Sequence, residues 1–303
     1  MTEPTNPLLA LSHALSGLVE SVANGLIGVL SHGRLVASGF AWKADAAITA
    51  SDALEADDEI SLLLADGRTL AATLTGRDPS TDVALISVRN GALVSLPSPA
   101  GKGARVGGLV LAVGRGREGV TANLGVVSTA GGPWQSLRGG SIDGLIRLDM
   151  RLEPRREGAL VIDAEGAPLG MAVLGPRRRP LVIPMATIER IAPRLLADGR
   201  IRRGYLGLGL QSLRLDEALA QAHALPSRRG IMVVSLDPNG PARAAGVHVG
   251  DIIISLDGEA VGGVRSLFAR LTPESVGRDA ELRMVRAGQI ATAKVTIGAS
   301  PNA

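Results

Sequence analysis

The chain has 303 residues, of which 46% are hydrophobic, and 32 basic against 29 acidic residues leave a net charge of +3. This length predicts two or three domains, and the hydrophobic content is ample for buried cores. The basic residues are dispersed and not interleaved with aromatic ones, which argues against nucleic-acid binding. Only 2% of the residues are aromatic and none is cysteine, so we expect aliphatic cores without disulfides.

Residues 1–25 are predicted to form an N-terminal amphipathic helix. Apolar residues recur there at alternating spacings of three and four, at Leu8, Leu11, Leu15, Leu18 and Val22. Asn6-Pro7 would open the helix and Asn24-Gly25 would close it. We expect it to pack on the domain that follows or on a neighbouring subunit. An interfacial membrane helix is disfavoured because the polar face has no cations.

The first 33 residues contain no Lys or Arg, and therefore no positive segment of a secretory signal. Polar residues interrupt the apolar stretch at residues 8–30, so no transmembrane segment is expected. From these patterns we expect a cytoplasmic protein, with the periplasm as the alternative.

From residue 26 onward the sequence predicts short strands separated by turn residues. Gly33-Arg34 divides the first two strands, and Asp66-Gly67 marks a hairpin turn. The predicted strands span residues 26–30, 35–42, 60–64, 69–75, 83–88, 109–113, 125–128, 144–148, 159–162, 168–174 and 181–183. Such closely spaced strands indicate an antiparallel barrel or a sandwich. A helix is predicted at 185–198, with an inner face of Ile188, Ile191, Leu195 and Leu196.

Three stretches of this region carry longer motifs. Residues 47–54 read AITASDAL, residues 76–86 read GRDPSTDVALI, and residues 146–163 read IRLDMRLEPRREGALVID. They resemble the segments ILTNNHVV, GxDxxxDLAVL and IQTDAxxxPGNSGGPLVN of the HtrA-type serine proteases. The resemblance covers roughly residues 20–298. It implies a mainly β, chymotrypsin-like double barrel at 26–198, with barrels at about 26–96 and 104–184 and a closing helix at 185–198.

The resemblance also assigns the catalytic positions. Asp82 falls on the orienting carboxylate, Asp52 on the general-base histidine and Glu157 on the serine nucleophile. Because a Ser-His-Asp triad acts as a unit, loss of two members predicts that no catalytic residue remains. The chain has no Gly-x-Ser-x-Gly motif, and His32 is expected to be a solvated hairpin residue.

The loop before position 157 departs from the family as well. Arg155 replaces a glycine and Arg156 an asparagine of the oxyanion loop, whose backbone N–H groups must converge on one point. A run of arginines at 177–179 falls where the family has a specificity loop. These changes predict an oxyanion loop that no longer forms.

Asp52, Asp82 and Glu157 would meet in one cleft if the fold holds. Three carboxylates could bind Ca²⁺ or Mg²⁺, or could be neutralised by Arg151, Arg155 or Arg156 as ordinary ion pairs. We favour the ion pairs, and we expect neither a metal nor a cofactor.

The C-terminal residues 203–298 predict a second domain. Residues 203–208 read RGYLGL, and residues 240–261 read GPARAAGVHVGDIIISLDGEAV. The first stretch resembles the carboxylate-binding loop of the PDZ domains that follow HtrA-type barrels. The second resembles a long motif of the same domains, SPAxxAGLxxGDxI. The resemblance implies a β-rich PDZ domain with two short helices.

A PDZ groove binds an extended peptide as an added strand. By resemblance, the N–H groups of Tyr205, Leu206 and Gly207 would receive the C-terminal carboxylate of the peptide. The ligand strand would pair with Leu208, Gly209 and Leu210. A helix beginning near Ser266 would supply the opposite wall with Leu267 and Leu271. We expect a preference for a small or aliphatic C-terminal residue.

Together these patterns predict a catalytically inactive HtrA-type homologue, a pseudoprotease that binds protein C-termini or unfolded segments in protein quality control. Its role would be regulatory or scaffolding. The alternatives are an active serine endopeptidase, which needs a nucleophile not found in the motifs, and a holdase-type chaperone without C-terminal preference. The resemblance further implies a homo-oligomer, such as a trimer, or a hetero-oligomer with an active paralogue.

Overall fold

The computed structural model describes residues 6–55, 59–91, 93–96, 103–136, 138–225 and 227–300. The chain divides into two compact units, with the main boundary between Arg200 and Ile201. The first unit contains two β-barrels, and the second contains a smaller β-rich domain.

The first unit opens with helix α1 (Pro7–Ala23). The side-chain oxygen of Asn6 accepts a hydrogen bond of 3.1 Å from the N–H of Leu8, which caps the helix. Val22 is buried at the far end, whereas Leu8 and Leu11 are 77% and 44% exposed. Only the C-terminal half of the apolar stripe is therefore covered. None of the described helices is long and apolar enough to cross a membrane.

Six strands form the first barrel. Their bounds are β1 (Leu26–Ser31), β2 (Arg34–Lys43), β3 (Ala46–Ala50), β4 (Ile60–Leu63), β5 (Thr69–Asp78) and β6 (Val83–Val88). They pair antiparallel in the closed order β1-β2-β3-β6-β5-β4. The residues that face inward are aliphatic, among them Ile27, Leu62 and Ile86.

The second barrel is built in the same way. Its elements are β7 (Leu109–Arg115), β8 (Val120–Gly131), β9 (Trp134–Gln135), β10 (Ser141–Ile142), β11 (Leu145–Asp149), β12 (Leu160–Asp163), β13 (Pro168–Leu174) and β14 (Pro180–Pro184). Six of them close in the order β11-β14-β13-β12-β7-β8, and β9 pairs with β10 as a separate ribbon. Strand β8 is much longer than the predicted 125–128. The side chains of residues 120–124 alternate between exposed and half-buried. Because the half-buried Thr121 and Asn123 are polar, the sequence shows little apolar alternation there.

Helix α2 (Met185–Asp198) closes the first unit. Ile188, Ile191 and Leu195 are buried as predicted, and Thr187 and Ala192 are buried with them. The placement of Leu196 on the inner face was wrong, because this side chain is 43% exposed. The buried stripe follows positions spaced by three and four residues, and Leu196 lies just outside it.

The second unit is built on a six-stranded sheet, in which the short β19 pairs with β18 beside the main path, and has short additional elements. They are β15 (Gly204–Tyr205), β16 (Leu208–Arg214), α3 (Glu217–Ala222), β17 (Arg229–Leu236), α4 (Pro241–Ala244), β18 (Ile252–Leu256), β19 (Glu259–Ala260), α5 (Val264–Phe268), β20 (Asp279–Arg286), β21 (Gln289–Thr296) and β22 (Gly298–Ala299). The strand order is β16-β17-β18-β20-β21, so β16 is an edge strand. Two closed six-stranded barrels followed by this domain confirm the mainly β fold expected from the sequence.

Replacing Gly199 with Ala should destabilise the first unit by about 1 kcal/mol. Gly199 ends α2 with a φ of 71°, where a side chain is strained, and an added Cβ would lie 3.3 Å from the Thr75 carbonyl oxygen. Urea denaturation followed by the fluorescence of Trp42 and Trp134 would measure the change. Gly132→Ala is the matched control, because a Cβ at Gly132 meets nothing within 4 Å. Equal stabilities of the two variants would contradict this account of the helix end.

Candidate functional site

Asp52 lies in a short 3-10 turn, Ser51–Ala53, directly after β3. Its side chain is exposed, and its backbone N–H donates a hydrogen bond of 2.7 Å to Oδ1 of Asp82. Asp82 has a φ of +59°, a strained conformation for a residue with a side chain. The Asp82 carboxylate therefore holds the backbone at position 52, whichever side chain stands there.

Arg77 fixes the same turn from the other side. Its guanidinium donates to the Ser51 hydroxyl at 3.2 Å, the Ser51 carbonyl at 3.1 Å and the Leu54 carbonyl at 3.2 Å. Asp78, the next residue, is buried and accepts hydrogen bonds from Ser80 and Thr81, which shapes the turn that leads to Asp82. The sequence did not reveal the role of Arg77, since its three contacts are more than 20 residues away along the chain.

Glu157 is half-buried at the position predicted for the nucleophile. Its carboxylate Oε1 accepts a hydrogen bond of 2.8 Å from the N–H of Leu174 at the end of β13. Its backbone carbonyl accepts a hydrogen bond of 2.9 Å from the N–H of Ser38 on β2. The side chain thus bonds one barrel strand, and the main chain contacts the other barrel.

The electrostatic surroundings of Glu157 are those of a partly desolvated acid. Burial raises the pKa of its carboxyl, and the negative charge of Asp52 raises this pKa further. The hydrogen bond from Leu174 and the positive charge of Arg178 act in the opposite direction. Asp52 thus connects the three acids, since its charge acts on Glu157 and its backbone N–H bonds Asp82.

Gly158 keeps the backbone at this position in place. It has a φ of +87°, and an added Cβ would lie 2.0 Å from the Ser38 carbonyl oxygen. Its N–H donates to the Ala172 carbonyl at 2.8 Å. No residue other than glycine fits this close approach.

The loop before Glu157 forms a 3-10 turn over Pro154–Arg156. The N–H of Arg156 donates to the Glu153 carbonyl at 2.9 Å, back along the turn. The Arg156 side chain donates to Oδ1 of Asn123 at 2.8 Å and pairs with Glu153 at 3.3 Å. The N–H of Arg156 is therefore engaged within the turn, whereas the oxyanion donors of a triad protease are the N–H groups of the nucleophile and of the residue two before it, here Glu157 and Arg155.

The carboxylates of Asp82 and Glu157 bond different backbone N–H groups. In the described part of the chain, no group of three or more His, Asp or Glu side chains has the geometry to hold a metal ion. Arg156 does not neutralise them, because its ion pair is with Glu153. The positive charge that acts on Glu157 comes from Arg178, in the arginine run at 177–179.

Ser38, a further candidate for a nucleophile, has a structural role. The Ser38 hydroxyl is buried and accepts a hydrogen bond of 2.8 Å from the N–H of Arg115. His32 is exposed in the turn between β1 and β2, as the sequence predicts. His13 lies exposed on α1, far along the chain from the cleft residues.

The predicted carboxylate-binding loop of the second unit is shaped by hydrogen bonds to residues 237–242. The carbonyl of Leu206 accepts from the N–H of Ala242 at 2.9 Å, and that of Gly207 accepts from Asp237 at 2.9 Å. Since peptide bonds are trans, the N–H groups of Gly207 and Leu208 point the opposite way. The Tyr205 hydroxyl donates to the Asp237 carboxylate at 2.8 Å and further fixes the loop.

A cavity of about 260 Å³ lies between β16 and α5. Its walls include residues predicted for the peptide groove, namely Tyr205, Leu206, Gly207, Leu208, Leu210, Leu267 and Leu271. The side chains of Leu206, Leu267 and Leu271 are also part of the domain core, and Leu206 is only 2% exposed. Gly209 faces Ser235, where an added Cβ would lie 2.0 Å from the hydroxyl oxygen.

Two family models match the chain, a trypsin-like peptidase domain at residues 37–171 and a PDZ domain at 204–297. A probable periplasmic serine endoprotease, DegP-like, from Pseudomonas fulva is 33% identical over 277 residues, which cover 87% of this chain and 56% of that protein. The corresponding protein of Brucella suis is 30% identical over 283 residues, covering 89% and 54%.

This chain belongs to the HtrA-type serine protease family. The resemblance seen in the sequence motifs is thereby confirmed. The chain spans about half the length of the curated relatives that it matches.

Solved structures of HtrA-type proteins share the fold. The HtrA-type protease AlgW with a decapeptide superposes with a TM-score of 0.74 and 22% identity, covering 94% of this chain and 98% of that one. A serine endoprotease from Yersinia pestis gives a TM-score of 0.72 and 23% identity, covering 94% and 97%.

The expectation of a cytoplasmic protein was wrong. The curated HtrA-type relatives are named periplasmic endoproteases, in Pseudomonas fulva, Brucella suis and Halomonas elongata alike. The lack of Lys and Arg in the first 33 residues does not decide the compartment.

The variant Glu157→Gln should be more stable than the wild type at pH 7.5, by less than about 1 kcal/mol because solvent screens a half-buried group. Burial raises the pKa of Glu157, so the wild-type fold gains stability as the pH falls through that pKa. This gain in the stability of the wild type is complete below about pH 4.5, the ordinary pKa of a glutamate side chain. Glutamine does not titrate, so the difference should shrink by pH 4, as measured by urea denaturation.

Glu165→Gln is the matched control, since Glu165 is exposed in the turn between β12 and β13. It should change stability little at either pH. A Glu157→Gln variant less stable than the wild type at pH 7.5 would show that the charge-dependent contacts of Glu157 outweigh its desolvation.

Proposed function

We propose that this HtrA-type chain is catalytically inactive and binds protein C-termini or unfolded segments through its PDZ domain. One observation carries the proposal. The two positions that would hold the base and the nucleophile are acids, and the acid at 157 is bonded to the N–H of Leu174. The role of such a protein in protein quality control would be regulatory or scaffolding.

The chemistry of acyl transfer requires a base beside a hydroxyl or thiol nucleophile. At position 52 the side chain is a carboxylate and not an imidazole, and Asp82 bonds only the backbone N–H of this residue among the contacts described. The 3-10 turn at Pro154–Arg156 supports the loss of the oxyanion site as well. The peptide groove, in contrast, retains its glycine loop and its open edge.

An active serine endopeptidase is the second candidate, and the names of the relatives favour it. It would need a serine or another nucleophile in the cleft that escapes both the motif and the described geometry. A holdase-type chaperone is a third candidate, supported by the exposed apolar residues of α1. Suppression of substrate aggregation without any preference for a C-terminal sequence would favour it.

The names of the relatives favour the periplasm as the compartment of this protein. We also propose that the chain assembles, as a homo-oligomer such as a trimer or with an active paralogue. The exposed Leu8, Leu9 and Leu11 at the start of α1 support assembly, since large exposed apolar patches mark interaction surfaces. The AlgW structure contains a decapeptide, which supports peptide binding by this architecture.

The wild-type chain should not degrade casein above the rate of Asp82→Ala. The double variant Asp52→His, Glu157→Ser should also remain roughly 10²–10³-fold less active than an active relative, because the oxyanion loop stays in its 3-10 turn. Release of acid-soluble peptides from labelled casein measures both rates. Adding Arg155→Gly and Arg156→Asn should then raise the activity of the double variant.

Wild-type turnover that falls in Asp82→Ala would favour the endopeptidase over this proposal. Full activity in the double variant, without changes at 155 and 156, would contradict the account of the oxyanion loop.

Leu210→Asp should abolish binding of a C-terminal peptide, such as one ending Ser-Ala-Val-Val. Leu210 is half-buried in the wall of the groove, and a carboxylate there would meet the apolar side chains of the peptide. A substitution at Leu206 would be less informative, since this side chain is buried in the core. Calorimetric titration measures the affinity, and circular dichroism verifies the fold.

Val249→Asp is the control for this variant. Val249 lies outside the groove and is 60% exposed, so its substitution should leave peptide binding unchanged. Unchanged binding by Leu210→Asp would remove the groove from the proposal.

A further inference from the structure

An open pocket of about 630 Å³ lies at the C-terminal end of β16, from Ser212 onward. Its lining includes three arginines, Arg214, Arg228 and Arg229. We propose that this pocket recognises acidic side chains in the bound peptide, upstream of its C-terminal residue. The PDZ domain would then select C-termini by charge as well as by their last residues. This inference rests on the peptide-binding function proposed above and names the class of peptide.

The hydrogen bonds at the two ends of β16 show which backbone groups are open. The N–H of Asp237 donates to the carbonyl of Gly207, and the N–H of Leu215 donates to the carbonyl of Arg228. The irregularity in this pairing lies on β17, so the alternation along β16 is unbroken. Odd-numbered residues therefore bond β17. The even-numbered residues direct their N–H and C=O groups to the open edge, namely Leu208, Leu210, Ser212 and Arg214.

This alternation sets the register of a bound peptide. A carboxylate held by the N–H groups of Gly207 and Leu208 places the last residue of the peptide opposite Leu208. The peptide then runs antiparallel to β16, so its third residue from the end faces Leu210. The fifth residue from the end faces Ser212, and the seventh faces Arg214. Directly opposed residues of antiparallel strands have neighbouring side chains on the same face.

The position of α5 shows that this end of the strand belongs to the groove. The Ser212 hydroxyl accepts a hydrogen bond of 3.3 Å from the N–H of Val264, the first residue of α5. The side chain of Arg229 passes Gly262, where an added Cβ would lie 3.9 Å from Cδ of the arginine. Arg229 therefore lies beside the segment that leads into the helix wall of the groove.

Among the described residues, the arginines of this pocket outnumber the acidic side chains that pair with them. Arg214 and Arg229 are directly opposed on β16 and β17, an arrangement in which like charges destabilise a sheet. Arg228 is paired with Glu217 at 2.8 Å. Within the described residues, neither Arg214 nor Arg229 has an ion pair. An acidic side chain at the fifth or seventh position of the peptide would supply the missing negative charge.

The test uses the full chain and three acetylated peptides that share one C-terminus: SAVV, GGGEGESAVV and GGGQGQSAVV. Calorimetric titration at about 50 mM salt should show the glutamate decapeptide binding roughly five- to tenfold more tightly than the glutamine decapeptide. In the double variant Arg214→Gln, Arg229→Gln this ratio should fall to about one, with the affinity for SAVV unchanged.

The control is Arg283→Gln, Lys294→Gln, which removes two exposed charges from β20 and β21. It should keep the preference for glutamate. Equal affinities of the wild type for the two decapeptides would overturn the inference, as would a preference that survives in Arg214→Gln, Arg229→Gln or is lost in the control. If one of these results occurs while the wild type still binds SAVV normally, only the inference about acidic residues is overturned and the proposed peptide binding stands. Failure of the wild type to bind any of the three peptides would overturn both proposals.

Discussion

The contact between Gly158 and Ser38 is the constraint on which the cleft depends. The Ser38 N–H bonds the Glu157 carbonyl, and an added Cβ at Gly158 would lie 2.0 Å from the Ser38 carbonyl oxygen. The Ser38 hydroxyl also accepts the N–H of Arg115 on β7. One residue of the first barrel therefore fixes the loop and a strand of the second. The backbone at position 157 is held where the family places its nucleophile, independent of the side chain.

This backbone anchoring explains how the side chains could change while the scaffold remained. A histidine at position 52 would accept and donate protons through its ring, whereas the carboxylate that stands there adds a negative charge that raises the pKa of Glu157. The structure compensates with backbone donors, because Asp82 bonds the N–H of Asp52 and Glu157 bonds the N–H of Leu174. Asp82 and Glu157 each gain a charge-assisted hydrogen bond from the backbone of a distant segment. The arrangement is compatible with a stable fold.

The PDZ domain is held by a different set of contacts. Its loop depends on carbonyl contacts to residues 237–242 and on the Tyr205–Asp237 bond, and these leave N–H groups directed away from the turn. Arg214 and Arg229 stand opposite each other on β16 and β17. Their pairing has an electrostatic cost that a bound acidic peptide would remove. The proposed binding and the proposed loss of catalysis thus concern different units of the chain.

The sequence by itself determined the family, the two barrels and the PDZ domain, because these follow from short motifs with fixed spacing. The same motifs predicted acids at the positions of the base and the nucleophile. The sequence also predicted the buried positions Ile188, Ile191 and Leu195 from helical periodicity. Only the tertiary structure decided that Leu196 is exposed, that Leu206 is a core residue and that Arg77 holds the turn of Asp52. The bond of Glu157 to Leu174 and the opposition of Arg214 and Arg229 were also decided there. These features join residues far apart in the chain, and no local pattern records which strand will lie beside which.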